Sequence, residues 1–594
     1  MTGFRDVLEA RFRLQEHEGP DKVCDLKEAI KRHIEPGMTI HLGQTGVRWC
    51  SAAIYQLARE FWGTKPAFTL VGVSLNHPVA VLVHGGLVKK LIASYYGDPY
   101  YAPTPNAVYQ KAFQEKAVEF ENWSILTLPL RLKAAAMGVK FMPTKSLIGS
   151  SMAEENRHSF QVVDDPFEPG EKIGLVKALQ PDITLIHGWA ADRYGNAIFL
   201  PPYLENLYGA MASRKGTILT VEKIVSTDFI RQHAHLVKLP GSYVASISEV
   251  PFGGHPSGLS SSGLKEIEVY AEDYEFVDQA NKAAKDPDKL QAWIAKWVLE
   301  CKDHWDYLEK LGYERILHLK GKSRVDAWKY NLEALPAEIN PQKYNPIEMA
   351  VVAAGRKIKE KILKNKYQTI LAGAGMANLA AWLAYHALKE EGYQVELMAE
   401  MGLYGYDPRP FDPAIFNHAN FPTCKVINDV HLIMGILMAG EKNSCLGSLG
   451  AAEIDKWGNI NTTVVGGKTY IVGSGGANDV ASASQEIIVT ALQTPKRFVE
   501  KASYITSPGK KVTTLVSNLG IFEKLDNEPE LTLTGYFSHP PLSTKEETVR
   551  YIKDHCGWEL KVSPDPQKIP PPTRDELLLL RTFDPYRYFI GDSV

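Results

Sequence analysis

Two short segments of the chain combine residue types that could do chemistry. The first is Gly473–Asp479 (GSGGAND), which follows a β-like run and precedes a predicted helix. Glycines at a strand-to-helix turn let backbone N–H groups approach a negatively charged ligand closely. The spacing is neither G-x-G-x-x-G nor that of a P-loop, which needs a Lys-Ser/Thr pair. We interpret the segment as a ligand-binding turn; a turn needed only for chain reversal is the alternative.

The second segment is 397–405 (LMAEMGLYG), which contains Glu400. This residue stands at the carboxyl end of a predicted apolar strand, directly before a glycine turn. Ligands of open α/β sheets bind at that end of the strands. A carboxylate partly removed from water there could act as a nucleophile or a general base. Taken alone, such a glutamate is more often a solvated or turn-capping residue.

The elements around these segments alternate between two types. Short apolar runs predict strands, and segments of helical periodicity predict helices. The predicted strands are 38–42, 68–73, 91–94, 183–186, 217–221, 369–372, 394–399 and 469–472, and the predicted helices include 23–33, 51–61, 345–363 and 377–388. This alternation indicates an α/β fold with a largely parallel sheet covered by helices.

An internal similarity links the two halves of the chain. Residues 190–197 (AADRYGNA) resemble residues 452–460 (AEIDKWGNI). Both place an acidic residue, a basic residue, an aromatic residue and Gly-Asn between strand-like runs. Gly and Asn tolerate positive φ, so each segment predicts a tight turn. Because the openings of the two halves also match, we favour duplication of one α/β unit over chance similarity of two hairpins.

The domain boundary is predicted from composition. A charged helical stretch at 286–311 precedes a polar segment in which three prolines break regular structure. We therefore predict two similar open α/β domains, at residues 1–335 and 347–594, joined by a linker at 336–346. The second domain includes the C-terminal tail.

Composition excludes several classes of function. The 66 Lys and Arg almost balance 69 Asp and Glu, so we expect no nucleic-acid partner. Six scattered cysteines, without a CxxC pair or a His cluster at zinc spacing, predict no metal site and a reducing compartment. We see neither a signal peptide nor the roughly 20 consecutive apolar residues that cross a bilayer. We therefore expect a cytoplasmic protein without a membrane partner.

Several segments together resemble the family I CoA-transferases, in particular the glutaconate CoA-transferase branch. Those that resemble its β subunit are 400–405, 447–463, 473–479 and 504–509. Those that resemble its α subunit are 89–101, 133–151, 182–196, 221–228 and 251–257. The similarity runs in order over most of the chain, which implies that both subunits are fused.

The resemblance implies CoA transfer through a covalent glutamyl intermediate. Glu400 matches the family's catalytic position and would form first a mixed anhydride with the acyl group and then a thioester with CoA. An acceptor carboxylate would reverse these steps. The implied partners are an acyl-CoA and a small carboxylic acid, with CoA as a substrate and no cofactor. Fusion of subunits that normally form a heterotetramer implies a homodimer.

Glycine residues are the candidates for binding the reacting acyl group. Gly475 and Gly476 could hold the developing oxyanion through their N–H groups. Gly43, in the first-half turn 43–46, is a further candidate, although this turn is less glycine-rich than the family's usual one. Arg48, just after that turn, could pair with a substrate carboxylate, or it could be a helix-surface residue.

Three more side chains in the first half are candidates for substrate binding. His255 lies in a GGHPSG turn, which it could instead stabilise. Glu119 and Glu121 precede an apolar helix, where acidic residues commonly interact with the helix dipole. They are retained because a sister branch of ring-opening CoA-thioester hydrolases uses a carboxylate of its first subunit. That hydrolase function is the alternative to transfer, and a non-enzymatic CoA-binding protein is third.

Overall fold

The computed structural model describes residues 3–14, 19–44, 48–99, 104–260, 263–333, 339, 343–442, 444–525 and 528–592. Each half of the chain builds one large, largely parallel sheet. The first sheet contains β1 (Thr39–Leu42), β2 (Phe68–Val71), β3 (Val88–Ala93), β4 (Glu119–Asn122), β5 (Ile183–Ala191), β6 (Ala197–Ile198), β7 (Thr217–Ile224), β8 (Val237–Leu239) and β9 (Val244–Glu249).

The second sheet contains ten strands. They are β10 (Thr369–Ala372), β11 (Glu396–Ala399), β12 (Leu403–Tyr404), β13 (Val426–Ile427), β14 (Cys445–Gly450), β15 (Glu486–Thr490), β16 (Val512–Val516), β17 (Gly520–Lys524), β18 (Leu531–Tyr536) and β19 (Val562–Lys568).

Helices connect the strands of both sheets. In the first half they are α1 (Phe4–Phe12), α2 (Leu26–His33), α3 (Ser51–Phe61), α4 (His77–His84), α5 (Ala107–Gln114), α6 (Thr127–Ala136), α7 (Ser151–Glu155), α8 (Asn206–Ala212), α9 (Thr227–Gln232), α10 (Tyr274–Ala284), α11 (Pro287–Ile294), α12 (His304–Leu311), α13 (Tyr313–Lys322) and α14 (Trp328–Glu333). In the second half they are α15 (Pro346–Asn365), α16 (Met376–Glu390), α17 (Ala477–Ala483), α18 (Lys545–Asp554) and α19 (Arg574–Phe583).

The two sheets share one strand order. The central parallel strands run β2-β1-β5-β7-β9 in the first sheet. They run β11-β10-β14-β15-β16 in the second. When only these five strands are numbered along the chain, both orders are 2-1-3-4-5, which confirms the predicted pair of similar open α/β sheets.

The two predicted tight turns have the same hydrogen bonds. Asp192 accepts from the backbone and side-chain N–H groups of Asn196, at 2.9 Å each. Asp455 accepts the same pair from Asn459, at 2.9 and 3.0 Å. A glycine of positive φ precedes the asparagine in each turn. Identical side-chain bonding in both halves supports duplication over chance.

Several predicted boundaries are accurate because strong local signals mark them. The helix Ser51–Phe61 and the strand Thr369–Ala372 match the predictions. Helix α15 begins after Asn345, whose side chain and that of Glu348 form a reciprocal capping box. The strand predicted at 469–472 is shorter, since only Thr469–Tyr470 forms a ladder.

The predicted domain limits stay a prediction. The linker at 336–346 falls partly on 334–338 and 340–342, which lie outside the described residues. Among the described helices, none combines the length and the apolarity that a membrane crossing requires.

Candidate active site

Glu400 directly follows β11, at the carboxyl end of a buried strand. The three preceding residues, Leu397–Ala399, are fully buried, whereas Glu400 is partly exposed. The chain turns back immediately, because β12 pairs antiparallel with β11. The short strand and its tight return therefore fix the Glu400 backbone at the tip of the sheet.

The glycine turn of the second half crosses to the first half. The Gly475 N–H donates to the carbonyl of Ser94 at 2.9 Å, and the Gly475 carbonyl accepts from the Ile125 N–H at 2.9 Å. Gly473 has φ +97°, and a Cβ there would lie 2.5 Å from the Ser94 carbonyl oxygen. Only glycine fits so close an approach, so the turn is built to dock on the end of β3.

Two polar residues of the same motif also bind the first half. Asp479 accepts from the Ser124 hydroxyl at 2.7 Å and from the Leu126 N–H at 3.1 Å. Asn478 accepts from the Leu147 N–H at 2.8 Å. The Asn-Asp pair therefore joins the two halves, a role that the sequence does not reveal.

Gly476 lies directly against the side chain of Glu400. A Cβ at this position would lie 3.1 Å from Glu400 Cδ and 3.3 Å from Oε2. The N–H of Gly476 makes no hydrogen bond with the part of the chain that the structure describes. This amide, unlike that of Gly475, is therefore available to a ligand.

Burial and a neighbouring acidic residue, Asp479, both act on the carboxyl group of Glu400. Burial, and secondarily the negative charge of Asp479, raise its pKa to about 7. Burial likewise raises the pKa of Asp479 to about 6. Within the described ranges, no hydrogen bond or ion pair neutralises Glu400. A carboxylate in this state is an ionisable group poised near neutral pH and a candidate nucleophile.

A cavity of about 100 Å³ opens onto Glu400 at the junction of the two halves. Apolar side chains and backbone form most of its wall. The described residues that line it are Val73, Ser74, Ser94, Tyr95, Pro99, Ile125, Ala374, Gly375, Glu400, Met401, Pro413, Ala414, Ile415, Phe416, Gly475 and Phe589. Over the same described residues, no cluster of His, Cys, Asp and Glu could hold a metal ion.

Comparison with known proteins identifies the family. A family model described as Coenzyme A transferase matches residues 23–250 and 438–523. The chain belongs to the family I CoA-transferases. It is similar to both subunits of the glutaconate CoA-transferase of Acidaminococcus fermentans. To the first it is 30% identical over 314 residues, covering 50% of this chain and 94% of that relative. To the second it is 24% identical over 270 residues, covering 42% of this chain and 95% of that relative.

Two further matches differ in the share of the chain that they cover. An uncharacterised protein of Archaeoglobus fulgidus is 30% identical over 302 residues, and the chain spans 64% of that relative. The solved acyl-CoA transferase YdiF of Escherichia coli O157:H7 has a TM-score of 0.63 and 17% identity. That match covers 96% of this chain and 97% of YdiF, so one tandem fold accounts for both sheets.

The first-half glycine and arginine candidates, Gly43 and Arg48, are not among the described residues that line the Glu400 cavity. The Gly43 N–H donates to the Leu185 carbonyl at 2.8 Å, so this amide is engaged; residues 45–47 of its turn lie outside the described residues. Arg48 is buried, with its guanidinium 4.8 Å from the ring centre of Trp189. The alternative of a helix-surface arginine is wrong, and neither residue lines the described cavity wall.

His255 is fully buried in a polar network of the first half. Its Nε2 lies 3.0 Å from Asp273 Oδ2, and its Nδ1 lies 2.5 Å from the Tyr307 hydroxyl. Burial lowers the pKa of His255, against the opposing effect of Asp273. These contacts agree with a residue that stabilises its turn, and His255 is not among the described residues that line the cavity.

Glu119 and Glu121, the candidates for the hydrolase alternative, lie in strand β4. Glu121 is bound by Lys90 at 2.7 Å and by Arg131 at 2.8 Å. Burial acts to raise its pKa, but Arg131 and its other partners prevail and lower the pKa to about 2. Glu119 is exposed and pairs with Lys90 at 2.8 Å. Neither lines the described part of the Glu400 cavity, and a strongly paired Glu121 is a poor base.

Proposed function

We propose that this CoA-transferase moves CoA from an acyl-CoA donor to a carboxylic acid acceptor through a covalent thioester at Glu400. The observation that carries the proposal is the carboxyl group of Glu400, which is partly buried and unpaired among the described residues. This carboxyl group lines a cavity whose described wall residues come from both halves of the chain. The resemblance of 400–405 to the family's catalytic segment supports the same residue.

The proposed reaction begins with attack of the Glu400 carboxylate on the thioester carbonyl of the donor. The carbon–sulfur bond breaks, CoA leaves as a thiolate, and a mixed anhydride remains on Glu400. The thiolate then attacks the glutamyl carbonyl and releases the donor acid as a carboxylate. The result is an enzyme–CoA thioester.

The acceptor repeats these steps in reverse. Its carboxylate attacks the glutamyl thioester, CoA leaves as a thiolate, and a new mixed anhydride forms. Attack of the thiolate on the acyl carbonyl gives the new acyl-CoA and regenerates the Glu400 carboxylate. One thioester replaces another, so the sequence balances without a net proton, oxidant or nucleoside triphosphate.

The surroundings of Glu400 suit both tasks of this mechanism. Incomplete solvation leaves its carboxylate less stabilised and therefore more reactive than one in water. Each attack places negative charge on a tetrahedral oxygen, which needs preorganised donors. The Gly476 N–H is the proposed donor, because it is adjacent and has no described partner. The Gly475 N–H is not a proposed oxyanion donor, because it already donates to the Ser94 carbonyl.

Covalent trapping tests the proposal directly. The enzyme is incubated with an acyl-CoA, treated with borohydride, digested and mapped by mass spectrometry. We expect reduction of the glutamyl thioester to mark the peptide that contains Glu400 and no other carboxylate. Acceptor-independent release of CoA, without a modified Glu400, would instead support the hydrolase.

The pH dependence of transfer follows from the raised pKa of Glu400. Only its carboxylate attacks, so kcat/KM for the donor rises with pH and levels off above about 7. Asp479→Asn removes a nearby negative charge and lowers the Glu400 pKa, so the midpoint moves to lower pH. The measurement is a kcat/KM profile from about pH 5 to about pH 9 for both proteins. A midpoint that is unchanged or higher in the variant contradicts this coupling.

Oligomeric state and location remain parts of the proposal. By analogy with paired α and β subunits, we expect the fused chain to form a homodimer. Light scattering measures the mass of the assembly directly. A cytoplasmic location is the expectation from the scattered, unpaired cysteines.

A further inference from the structure

The wall of the Glu400 cavity has no cationic side chain among its described residues. Besides Glu400, the described wall residues with polar side chains are Ser74, Ser94 and Tyr95; the other described wall residues are apolar or glycine. A substrate chain in this cavity therefore meets hydrocarbon rather than positive charge.

The hydroxyl groups of the wall are already engaged. Ser74 Oγ is hydrogen-bonded to the side chain of Asn76 at 2.7 Å. Ser94 Oγ donates to the Val73 carbonyl at 2.7 Å, and the Tyr95 hydroxyl donates to the Asp98 carbonyl at 3.2 Å. The hydroxyls of Ser94 and Tyr95 therefore cannot donate to a polar group of the substrate without losing a bond to the protein.

Arg48, the arginine that the sequence singles out, is held inside the first half. Arg48 donates to the Leu200 carbonyl at 3.2 Å and packs on Trp189 and Phe199. It is 2% exposed, and it does not line the described wall. No cation among the described wall residues could therefore pair with a second carboxylate on the substrate, and desolvating an unpaired carboxylate is strongly unfavourable.

We infer that the acyl groups exchanged at Glu400 are apolar chains of monocarboxylic acids, and that dicarboxylic acyl groups are rejected. The inference rests on the proposed function and adds the substrate class to it. It also separates this chain from the relative named glutaconate CoA-transferase, because glutaconate is a dicarboxylate. An apolar chain buries its surface against Ile125, Ile415 and Phe416 without leaving a charge unpaired.

The half-reaction tests this inference without a choice of acceptor. Formation of the enzyme–CoA thioester is followed by intact-protein mass spectrometry with hexanoyl-CoA and with adipoyl-CoA, which differ only by a terminal carboxylate. We expect kcat/KM for adduct formation to be roughly 100-fold or more higher with hexanoyl-CoA. An adduct at Glu400 that forms equally well, or better, with adipoyl-CoA overturns the inference and leaves the proposed function standing. No adduct with either compound overturns both.

A charge introduced into the wall provides the second measurement. Phe416 is partly exposed, so Phe416→Arg places a long cation at the cavity with little burial. We expect it to reduce the preference for hexanoyl-CoA over adipoyl-CoA at least tenfold, whereas the apolar control Phe416→Leu keeps the preference. Equal ratios in both variants, with both proteins folded by circular dichroism, show that wall charge does not set the specificity.

Discussion

Glu400→Gln is expected to lower CoA transfer by roughly 10⁴-fold or more and to abolish the covalent adduct. The amide keeps the size and shape of the side chain but is far too weak a nucleophile to attack a thioester. The proposed mechanism requires the glutamyl intermediate. A variant that binds the substrates but cannot form this intermediate should therefore transfer CoA very slowly. The measurement is steady-state transfer between a donor and an acceptor, combined with mass spectrometry of the protein.

Glu396→Gln is the matched control for this loss. Glu396 begins the same strand, is partly exposed and pairs with Lys425. Its exposed ion pair contributes little to stability, so the variant should transfer CoA at close to the normal rate. Glu400→Gln activity within tenfold of the parent, without an adduct, would remove Glu400 from the mechanism.

Glu400→Gln is also expected to change how the melting temperature depends on pH. The folded-state pKa of Glu400 lies above the unfolded value of 4.5. Its protonated form is therefore favoured on folding at low pH, and that contribution is lost as pH rises through about 7. Glutamine carries no such loss, so we expect Glu400→Gln to melt at a higher temperature than the parent at about pH 8 and at a similar one at about pH 4.5. A stabilised but inactive variant also excludes misfolding as the cause of inactivity.

The sequence locates the candidate site because its signals are local. An apolar strand that ends in Glu400 and a glycine turn at 473–476 are both visible within about ten residues. The parallel character of the sheets also follows from the alternation of strands and helices, and the two Gly-Asn turns indicate a duplication. The structure confirms these elements because local propensity and tertiary packing agree there.

Contacts between the halves are not visible in the sequence. Gly475 was expected to offer its N–H to an oxyanion, yet Ser94, 381 positions earlier in the chain, accepts it. Asp479 likewise binds Ser124, a partner at a separation of 355 residues. No spacing rule connects such positions, so the motif could be located but the assignment of its individual donors could not.

Burial of charged side chains explains why two predicted substrate-binding residues, Arg48 and Glu121, do not line the described cavity wall. Arg48 and Glu121 were assigned by residue type and neighbouring sequence, which show neither burial nor partners. In the fold, Arg48 packs on Trp189, and Glu121 is held by Arg131. Neither side chain lines the described wall of the Glu400 cavity, and only the three-dimensional structure reveals such burial and such partners.

Gly476→Ala is expected to slow CoA transfer by roughly 10- to 100-fold while leaving the fold intact. The backbone of Gly476 has φ −86° and ψ −4°, a conformation that alanine adopts without strain. Backbone geometry therefore gives no reason for glycine at this position. The nearby reason is Glu400, because the added Cβ would lie 3.1 Å from its Cδ and must displace the carboxyl group by a few tenths of an ångström.

Gly435→Ala is the control that separates this displacement from a general effect of replacing glycine. Gly435 is exposed, and a Cβ there meets no heavy atom within 4 Å, so transfer and melting temperature should stay close to those of the parent. In Gly476→Ala, a fall in kcat with nearly unchanged melting temperature places the effect on the reacting carboxylate rather than on folding. Normal kcat in a folded Gly476→Ala protein would mean that the position of the Glu400 carboxyl group against this turn is irrelevant to transfer.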